Sequence, residues 1–194
     1  MQNFIAHLTK QIELTDEQIQ IILDQLTIKK YKRGEMIQNA GEFTNHYYFV
    51  EEGVIRSYTI DENGKEHIIQ FGTENWIISD RNISTSENEV ETTYYIQAIE
   101  ETKLVVINED LKQLIQSLNS YYMESQFKLV QKNVQHLHDR IRFLLSATAK
   151  MRYQNFIKLY PTITARVPQW MIASYLGITP ESLSRVRKDI ASNG

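Results

Sequence analysis

One C-terminal segment constrains the fold of this chain more than any other, VPQWMIASYLGITPESLSRVRKDI. Gly177 supplies a turn between two helices, and Ala173, one helical turn earlier, is small enough for the helices to cross closely. Thr179 is a good N-cap for the second helix, and Pro180 takes its first position, where the missing N–H is harmless. A chance amphipathic hairpin would rarely have all four residues in phase. The segment therefore predicts a helix-turn-helix over Gln169–Lys188.

The second helix of this motif predicts a surface for double-stranded DNA. Its N-terminal turns would face base edges in the major groove. Arginine can grip guanine, glutamate can accept from cytosine and serine can serve either, whereas Arg187 and Lys188 suit phosphates better. The alternative is a solvated helix face, against which the position in the motif argues. The predicted DNA-binding residues are Gln169, Thr179, Glu181, Ser182, Ser184, Arg185, Arg187 and Lys188.

The charge distribution supports a basic C-terminal part with a polyanionic partner. Residues 119–194 contain 11 of the 21 Lys and Arg but 4 of the 24 Asp and Glu, a net charge of +7. Residues 1–118 carry 10 basic and 20 acidic residues, a net charge of −10. Such a split indicates two domains, although basic residues can also merely solvate helices.

A long helix from about Ser120 to about Lys150 is predicted to carry a dimer seam. Apolar residues recur there at alternating intervals of four and three, the a/d pattern of a coiled coil, with polar residues between them. The stripe is narrow, which favours self-pairing over packing on the chain's own domain. The seam positions are Met123, Phe127, Val130, Val134, Leu137, Ile141, Leu144 and Thr148.

The rest of the chain divides into a helical start and a strand-rich middle. Residues 1–27 look helical, with Thr15 and Gln18 as a capping box. Residues 28–107 alternate glycines with short runs rich in Tyr, Ile, Val and Phe, which predicts antiparallel strands. Asn63-Gly64 reads as a tight hairpin turn in which both residues tolerate positive φ. Asn108 is a plausible cap for a helix over Glu109–Leu118.

Several functional classes are disfavoured by composition. The chain has no cysteine, which excludes disulfides, thiolate zinc sites and iron–sulfur clusters. No apolar run reaches the roughly 18 residues of a membrane span, and the start lacks the order of a signal peptide. We therefore expect a cytoplasmic protein without membrane partners. No phosphate loop, nucleophile motif or clustered His/Asp/Glu constellation points to an enzyme, a metal site or a cofactor.

The order of parts and three segments resemble the CRP/FNR superfamily of bacterial transcription regulators. KRGEMIQNAGEFTNHYYFVEEGVIRSY resembles the start of that family's cyclic-nucleotide-binding β-roll, and LGITPESLSRVRK resembles its recognition segment. Glu181, Ser184 and Arg185 match the E-x-x-S-R triplet of the FNR-like branch, where these residues read bases. RYQNFIKLYP followed by VPQWMIASYLGITPESLSR also looks like the short regulators of the Bacteroidetes group. The resemblance implies a homodimer that binds an inverted repeat and has RNA polymerase as a partner.

Two departures from the family bear on the effector. Oxygen sensing through an iron–sulfur cluster is excluded, because the cysteines are missing. Ser79-Asp80 and Thr92-Thr93 stand where nucleotide-binding members have Gly-Glu and Arg-Ser, and the nearby acidic residues would repel a phosphodiester. Arg81 is a conceivable substitute cation. The pocket is thus predicted to be degenerate and to bind no cyclic AMP; its candidate lining is Trp76, Ser79, Asp80, Arg81, Thr92 and Thr93.

The expected class is α+β, with an N-terminal antiparallel β-roll, a long dimerisation helix and a C-terminal winged-helix-type helix-turn-helix. The expected domains are a sensor domain at 1–118, the dimer helix at 119–150 and the DNA-binding domain at 151–194. Any wing should be missing or vestigial, because so little sequence follows the second helix. Two alternatives stay open: a cyclic-nucleotide-responsive regulator with an atypical pocket, and an interaction module that keeps the fold without binding DNA.

Overall fold

The computed structural model describes residues 1–42, 46–78 and 91–192. These residues form two compact units. The first comprises residues 1–57 and 71–129, and the second comprises residues 58–70 and 130–194. The second unit therefore combines a hairpin from the strand-rich part of the sequence with the C-terminal helices.

Eight strands and seven α-helices make up the described residues, which confirms the α+β class. The strands are β1 Thr27–Tyr31, β2 Met36–Gln38, β3 Tyr47–Glu52, β4 Ile55–Ile60, β5 Glu66–Gly72, β6 Ile77–Ile78, β7 Tyr95–Ala98 and β8 Thr102–Ile107. The helices are α1 Gln2–Thr9, α2 Asp16–Asp24, α3 Glu109–Leu118, α4 Tyr122–Ser146, α5 Ala149–Leu159, α6 Gln169–Leu176 and α7 Pro180–Ser192, with a 3₁₀ turn at Ile163–Ala165.

Two four-stranded antiparallel sheets form the predicted β-roll. Their strand orders are β1-β8-β3-β6 and β2-β7-β4-β5. Successive side chains of a strand point to opposite faces, and in β3 both faces are buried. Val50 packs with Ile55 and Ile96 in one core cluster, whereas the adjacent Phe49 packs with Phe4 in another. This two-sided burial explains why β3 begins with four consecutive aromatic or apolar residues, YYFV.

The helix caps of the first unit follow the local signals in the sequence. Thr15 and Gln18 form the predicted capping box of α2, with both reciprocal hydrogen bonds present. The Asn108 side chain accepts from the N–H of Leu111 and caps α3, as predicted. Each cap satisfies backbone donors that a helix leaves without an internal partner.

The long helix is shorter at its C-terminal end than predicted. α4 ends at Ser146, and Thr148 is the N-cap of α5, its side chain accepting from the N–H of Met151. The inclusion of Thr148 as the last seam position was therefore wrong, because its hydroxyl starts a new helix. Within the described residues, no helix is long and apolar enough to cross a membrane.

The hairpin between β4 and β5 is confirmed, but its turn is wider than predicted. Asp61 and Lys65 close it, the Asp61 N–H donating to the Lys65 carbonyl over 3.0 Å. Gly64 has a φ of +76°, whereas Asn63 does not adopt a positive φ. The Asp61 carboxylate accepts instead from the N–H groups of Asn63 and Lys65. A side-chain acceptor thus stabilises a longer turn that needs only one left-handed residue.

A buried carboxylate of β3 holds the start of α1. Glu51, with 3% of its side chain exposed, accepts from the N–H groups of Asn3 at 3.0 Å and Phe4 at 2.9 Å and contacts the Met1 amine. Burial acts to raise the pKa of Glu51, but these hydrogen bonds and the amine's charge outweigh it and hold the pKa below its ordinary value. The ionised carboxylate therefore stabilises the positive end of the helix.

Replacing Glu51 with Gln should lower the free energy of unfolding at neutral pH by about 1–3 kcal/mol, because charge-assisted hydrogen bonds are lost. The pKa of Glu51 is depressed in the folded state. Its contribution is therefore present above the unfolded pKa and disappears as the pH falls through the folded pKa. Urea denaturation at several pH values should show the difference from wild type shrinking in acid. Glu52→Gln, at an exposed neighbour, is the control, and a pH-independent difference would contradict this account.

Candidate nucleic-acid interface

The turn between α6 and α7 is built by Gly177. Its φ is +63°, the left-handed region that favours glycine. The Ile178 N–H donates to the Ala173 carbonyl over 3.0 Å, and the Gly177 N–H donates to the Ser174 carbonyl over 3.1 Å. This pair of bonds is a Schellman motif, which ends a helix and fixes the direction of the following chain.

The second helix begins as the sequence predicts. The Thr179 hydroxyl accepts from the N–H of Ser182 over 3.2 Å, so Thr179 is the N-cap, and Pro180 is the first helical residue. Leu183 is buried, as are Ile172 and Ala173 of α6. The two helices therefore share a packed interior that sets the direction of the outward face of α7.

An aromatic cluster packs α6 against α5 and the residue that follows α5. The centroid of the Phe156 ring lies 5.2 Å from that of Tyr160 and 5.4 Å from that of Tyr175. The centroids of the two tyrosine rings are 5.9 Å apart, in a T-shaped, edge-to-face arrangement. Such aromatic contacts stabilise a core beyond the apolar area they bury. A further contact joins α5 to α7, where Lys150 pairs with Asp189 at 2.6 Å.

The outward face of α7 brings together three predicted base-reading residues and the predicted phosphate contact Lys188. Glu181, Ser184, Arg185 and Lys188 follow the i, i+3, i+4, i+7 spacing of one helix face, and all four are exposed. Arg187 and Thr179 are exposed as well, and Ser182 is half-buried. Gln169 differs, because its side-chain oxygen is buried and has no hydrogen-bond partner among the described residues.

The protonation state of Glu181 suits a hydrogen-bond acceptor. Hydrogen bonds from its own backbone N–H and from the Thr179 hydroxyl lower the pKa of Glu181, and together with a lesser effect of the Arg185 charge they outweigh burial, which raises it. Glu181 is therefore ionised at neutral pH and can only accept hydrogen bonds. This is the property required to read the amino group of cytosine.

Two arginines that the sequence analysis did not assign bind the C-terminal end of α6. Arg152 Nη1 donates to the Leu176 carbonyl over 2.7 Å. Arg140 Nη2 lies 3.4 Å from the Tyr175 carbonyl oxygen, and the Arg140 guanidinium lies over the Tyr175 ring, 4.2 Å from its centroid. Both arginines contact the negative end of the helix dipole, where cations are stabilising. Their partners are distant backbone carbonyls, which leave no pattern in the sequence.

The predicted seam positions from Met123 to Leu144 lie on α4 and are exposed in the single chain. Their exposed fractions range from 38% at Leu144 to 62% at Phe127. His136 and His138, two of the polar residues between the seam positions, are exposed as well. An apolar stripe of this length open to solvent is unusual for a protein that acts alone.

The predicted effector residues are only partly within the described chain. Ser79, Asp80 and Arg81 lie outside the described residues. Thr92 is buried, and its hydroxyl donates to the Asn39 carbonyl over 2.8 Å. The Thr92 N–H and carbonyl bond to Glu42 and Gly41, both at 2.8 Å. Thr92 thus ties two chain segments together, which is a structural role.

The other two predicted pocket residues differ from Thr92 in burial. Trp76 is half-buried, and its carbonyl accepts from the N–H of Val50 over 2.9 Å. Thr93 is exposed. None of the predicted residues that the structure describes carries a positive charge.

Comparisons with known proteins agree with this architecture. Residues 28–117 match the family model of the cyclic nucleotide-binding domain. An anaerobic regulatory protein of Haemophilus influenzae is 24% identical over 169 residues, which cover 81% of this chain and 64% of that protein. The chain thus matches less than two thirds of the length of that relative.

Solved structures resemble almost the whole chain. FixK2 from Bradyrhizobium japonicum has a TM-score of 0.69 at 20% identity, covering 87% of this chain and 86% of that one. A CooA mutant from Carboxydothermus hydrogenoformans also has a TM-score of 0.69, at 18% identity, covering 97% and 84%. Residues 28–117 therefore resemble the cyclic nucleotide-binding domain family, and the chain has the fold of the solved FixK2 and CooA structures.

Proposed function

We propose that this protein is a homodimeric transcription regulator that binds an inverted repeat in double-stranded DNA through α7. The observation that carries the proposal is the outward face of α7, where two cations and two polar acceptors are exposed on one side of a helix-turn-helix. The fold of the solved relatives supports the same function. We further propose that it acts in the cytoplasm, contacts RNA polymerase when bound to DNA and catalyses no reaction.

The dimer proposal depends on the exposed stripe of α4. A second copy of α4 is the partner that an a/d repeat fits, because each apolar side chain then enters a hole formed by the facing helix. Pairing would also bring two copies of α7 together, as binding to an inverted repeat requires.

The effector proposal is that the pocket does not hold cyclic AMP. An anionic phosphodiester needs a cation or a nest of donors, and Thr92 donates its hydroxyl hydrogen to Asn39 instead. The match of residues 28–117 to the cyclic nucleotide-binding family favours the second candidate, a nucleotide-responsive regulator that uses Arg81 or another cation.

Replacing Val134 with Glu should convert the dimer into monomers, because a charge at each of two facing seam positions would be buried without a partner. This substitution should cost several kcal/mol of the free energy of dimerisation. Light scattering should then give half the mass of the wild-type dimer, and specific DNA binding should be lost. Gln131→Glu, at an exposed position beside the seam, is the control and should stay dimeric. A Val134→Glu chain that remains dimeric would show that this stripe is not the interface.

Three substitutions on α7 should distinguish contacts to bases from contacts to DNA phosphates. Arg185→Ala should cost about 1–3 kcal/mol on the preferred site and relax the choice of base at one position. Lys188→Ala should weaken binding to all DNA sequences alike, and the slope of log affinity against log salt concentration should fall by about one. Glu181→Ala should mainly change which base pair is preferred. Binding-site selection followed by titration at several salt concentrations measures all three.

The control for these variants is Lys128→Ala, which removes an exposed cation of α4 outside the helix-turn-helix. It should leave site preference unchanged. If Arg185→Ala leaves affinity and sequence preference untouched, α7 is not the recognition helix. A wild-type chain that selects no DNA would favour the interaction module that merely keeps the fold.

Calorimetry should detect no saturable binding of cyclic AMP below about 1 mM, since the position of the family's phosphate-holding arginine is Thr92. Micromolar affinity would contradict the proposal. Arg81→Ala would then test the second candidate, because loss of that affinity would identify Arg81 as the substitute cation.

A further inference from the structure

The edge of β5 is closed by a side chain of the helix-turn-helix. β5 is the last strand in its sheet, and an edge strand presents unpaired N–H and C=O groups. The Ile68 N–H donates to the Ser174 hydroxyl oxygen over 3.0 Å, and that hydroxyl donates to the Glu66 carbonyl over 3.3 Å. Residues two apart in a strand project their backbone groups to the same side. One hydroxyl of α6 therefore satisfies two groups of this edge.

Arg140 of α4 also connects β5 to α6. Its Nη2 lies 3.3 Å from the Ile68 carbonyl oxygen, and its Nη1 donates to the carbonyl of Ile69. Nη2 also reaches the Tyr175 carbonyl of α6, while the guanidinium plane lies on the Tyr175 ring. Only a planar group with several fixed donors can make these contacts together, which distinguishes arginine from lysine here.

We propose that Arg140 and Ser174 act as positioning residues that set the half-site spacing at which the dimer binds DNA. This inference rests on the proposed DNA-binding function and goes beyond it. The two side chains, which we name the spacing latch, hold α6 against the C-terminal half of α4 and the β4–β5 hairpin. All these residues belong to the second compact unit.

The latch acts on spacing because movement of α6 is transmitted to α7. The Schellman turn at Gly177 and the shared interior fix α7 to α6, so a shift of α6 relative to α4 moves the recognition face as well. α4 carries the predicted seam, and its distance from α7 in each copy therefore sets the separation of the two recognition helices. Successive base pairs are 3.4 Å apart, so a displacement of roughly 2 Å in each subunit corresponds to about one base pair.

The test compares latch variants of the full chain on inverted repeats whose central spacer is the selected length or is one or two base pairs longer or shorter. Wild type should discriminate strongly between spacers. Arg140→Gln and Ser174→Ala should each lose on the order of tenfold of this discrimination, a change of about 1.4 kcal/mol. Arg142→Gln is the matched control, because Arg142 lies on the same helix, is exposed and contacts residues of its own helix, pairing with Asp139 at 3.1 Å and lying over the Phe143 ring. It should keep the wild-type ratio.

Two further readouts distinguish positioning from other roles. A purely structural role would lower the folded fraction and weaken all spacers equally, leaving their ratio unchanged, which would overturn the proposal. A direct phosphate contact by Arg140 would reduce the salt slope by about one relative to Arg142→Gln, which would also overturn it. If Arg140→Gln does not fold, Ser174→Ala carries the test alone, since it removes only one oxygen atom.

The outcomes also separate this inference from the function on which it rests. A wild-type chain that selects no DNA contradicts the proposed function and the spacing latch with it. A wild-type chain that selects a spaced site, while both latch variants retain its spacing preference, contradicts the latch alone.

Discussion

The last carbonyl groups of α6 cannot find partners within their own helix, and the way they are satisfied organises the second unit. In the Schellman turn at Gly177, backbone N–H groups donate to the carbonyls of Ala173 and Ser174. Arg140 and Arg152 bind the next two carbonyls, those of Tyr175 and Leu176. One helix end thereby ties together the start of α7, the long helix α4 and α5. Loss of this arrangement would leave the outward face of α7 without a defined direction.

The sequence predicted best the features that depend on neighbouring residues. The caps at Thr15, Asn108 and Thr179 each involve a side chain and a backbone N–H three residues apart, so the chemistry is complete within a short window. The positive φ of Gly177 follows from the same kind of local rule. The recognition face of α7 could be predicted for this reason, because its spacing is fixed by the helix itself.

Features that depend on distant parts of the chain escaped prediction. Arg140 appeared as one polar residue among several between seam positions, and Ser174 had no distinguishing signal. Both bind backbone groups more than 30 residues away, and a backbone carbonyl has no sequence signature. The end of α4 was misplaced for a related reason. Thr148 continues the spacing of the seam, but its hydroxyl accepts from the N–H of Met151 and so caps the start of α5.

Thr92 shows how a residue of the proposed effector pocket can serve packing instead. Thr92 lies where the resemblance implies an arginine, and it now joins two segments through its hydroxyl and backbone. A residue used in this way is fixed by packing and adds no charge for a phosphate. Under the proposal that the pocket holds no cyclic AMP, regulation would use a ligand of different chemistry, or a partner that binds one of two arrangements better than the other.

The proposed function requires that two copies of α7 read DNA together. Hydroxyl-radical footprinting of the full chain on a sequence obtained by binding-site selection tests this most directly. We expect two protected regions related by two-fold symmetry, with centres about one helical turn, 10–10.5 base pairs, apart. A single asymmetric footprint, or no sequence enriched over random DNA, would contradict the claim.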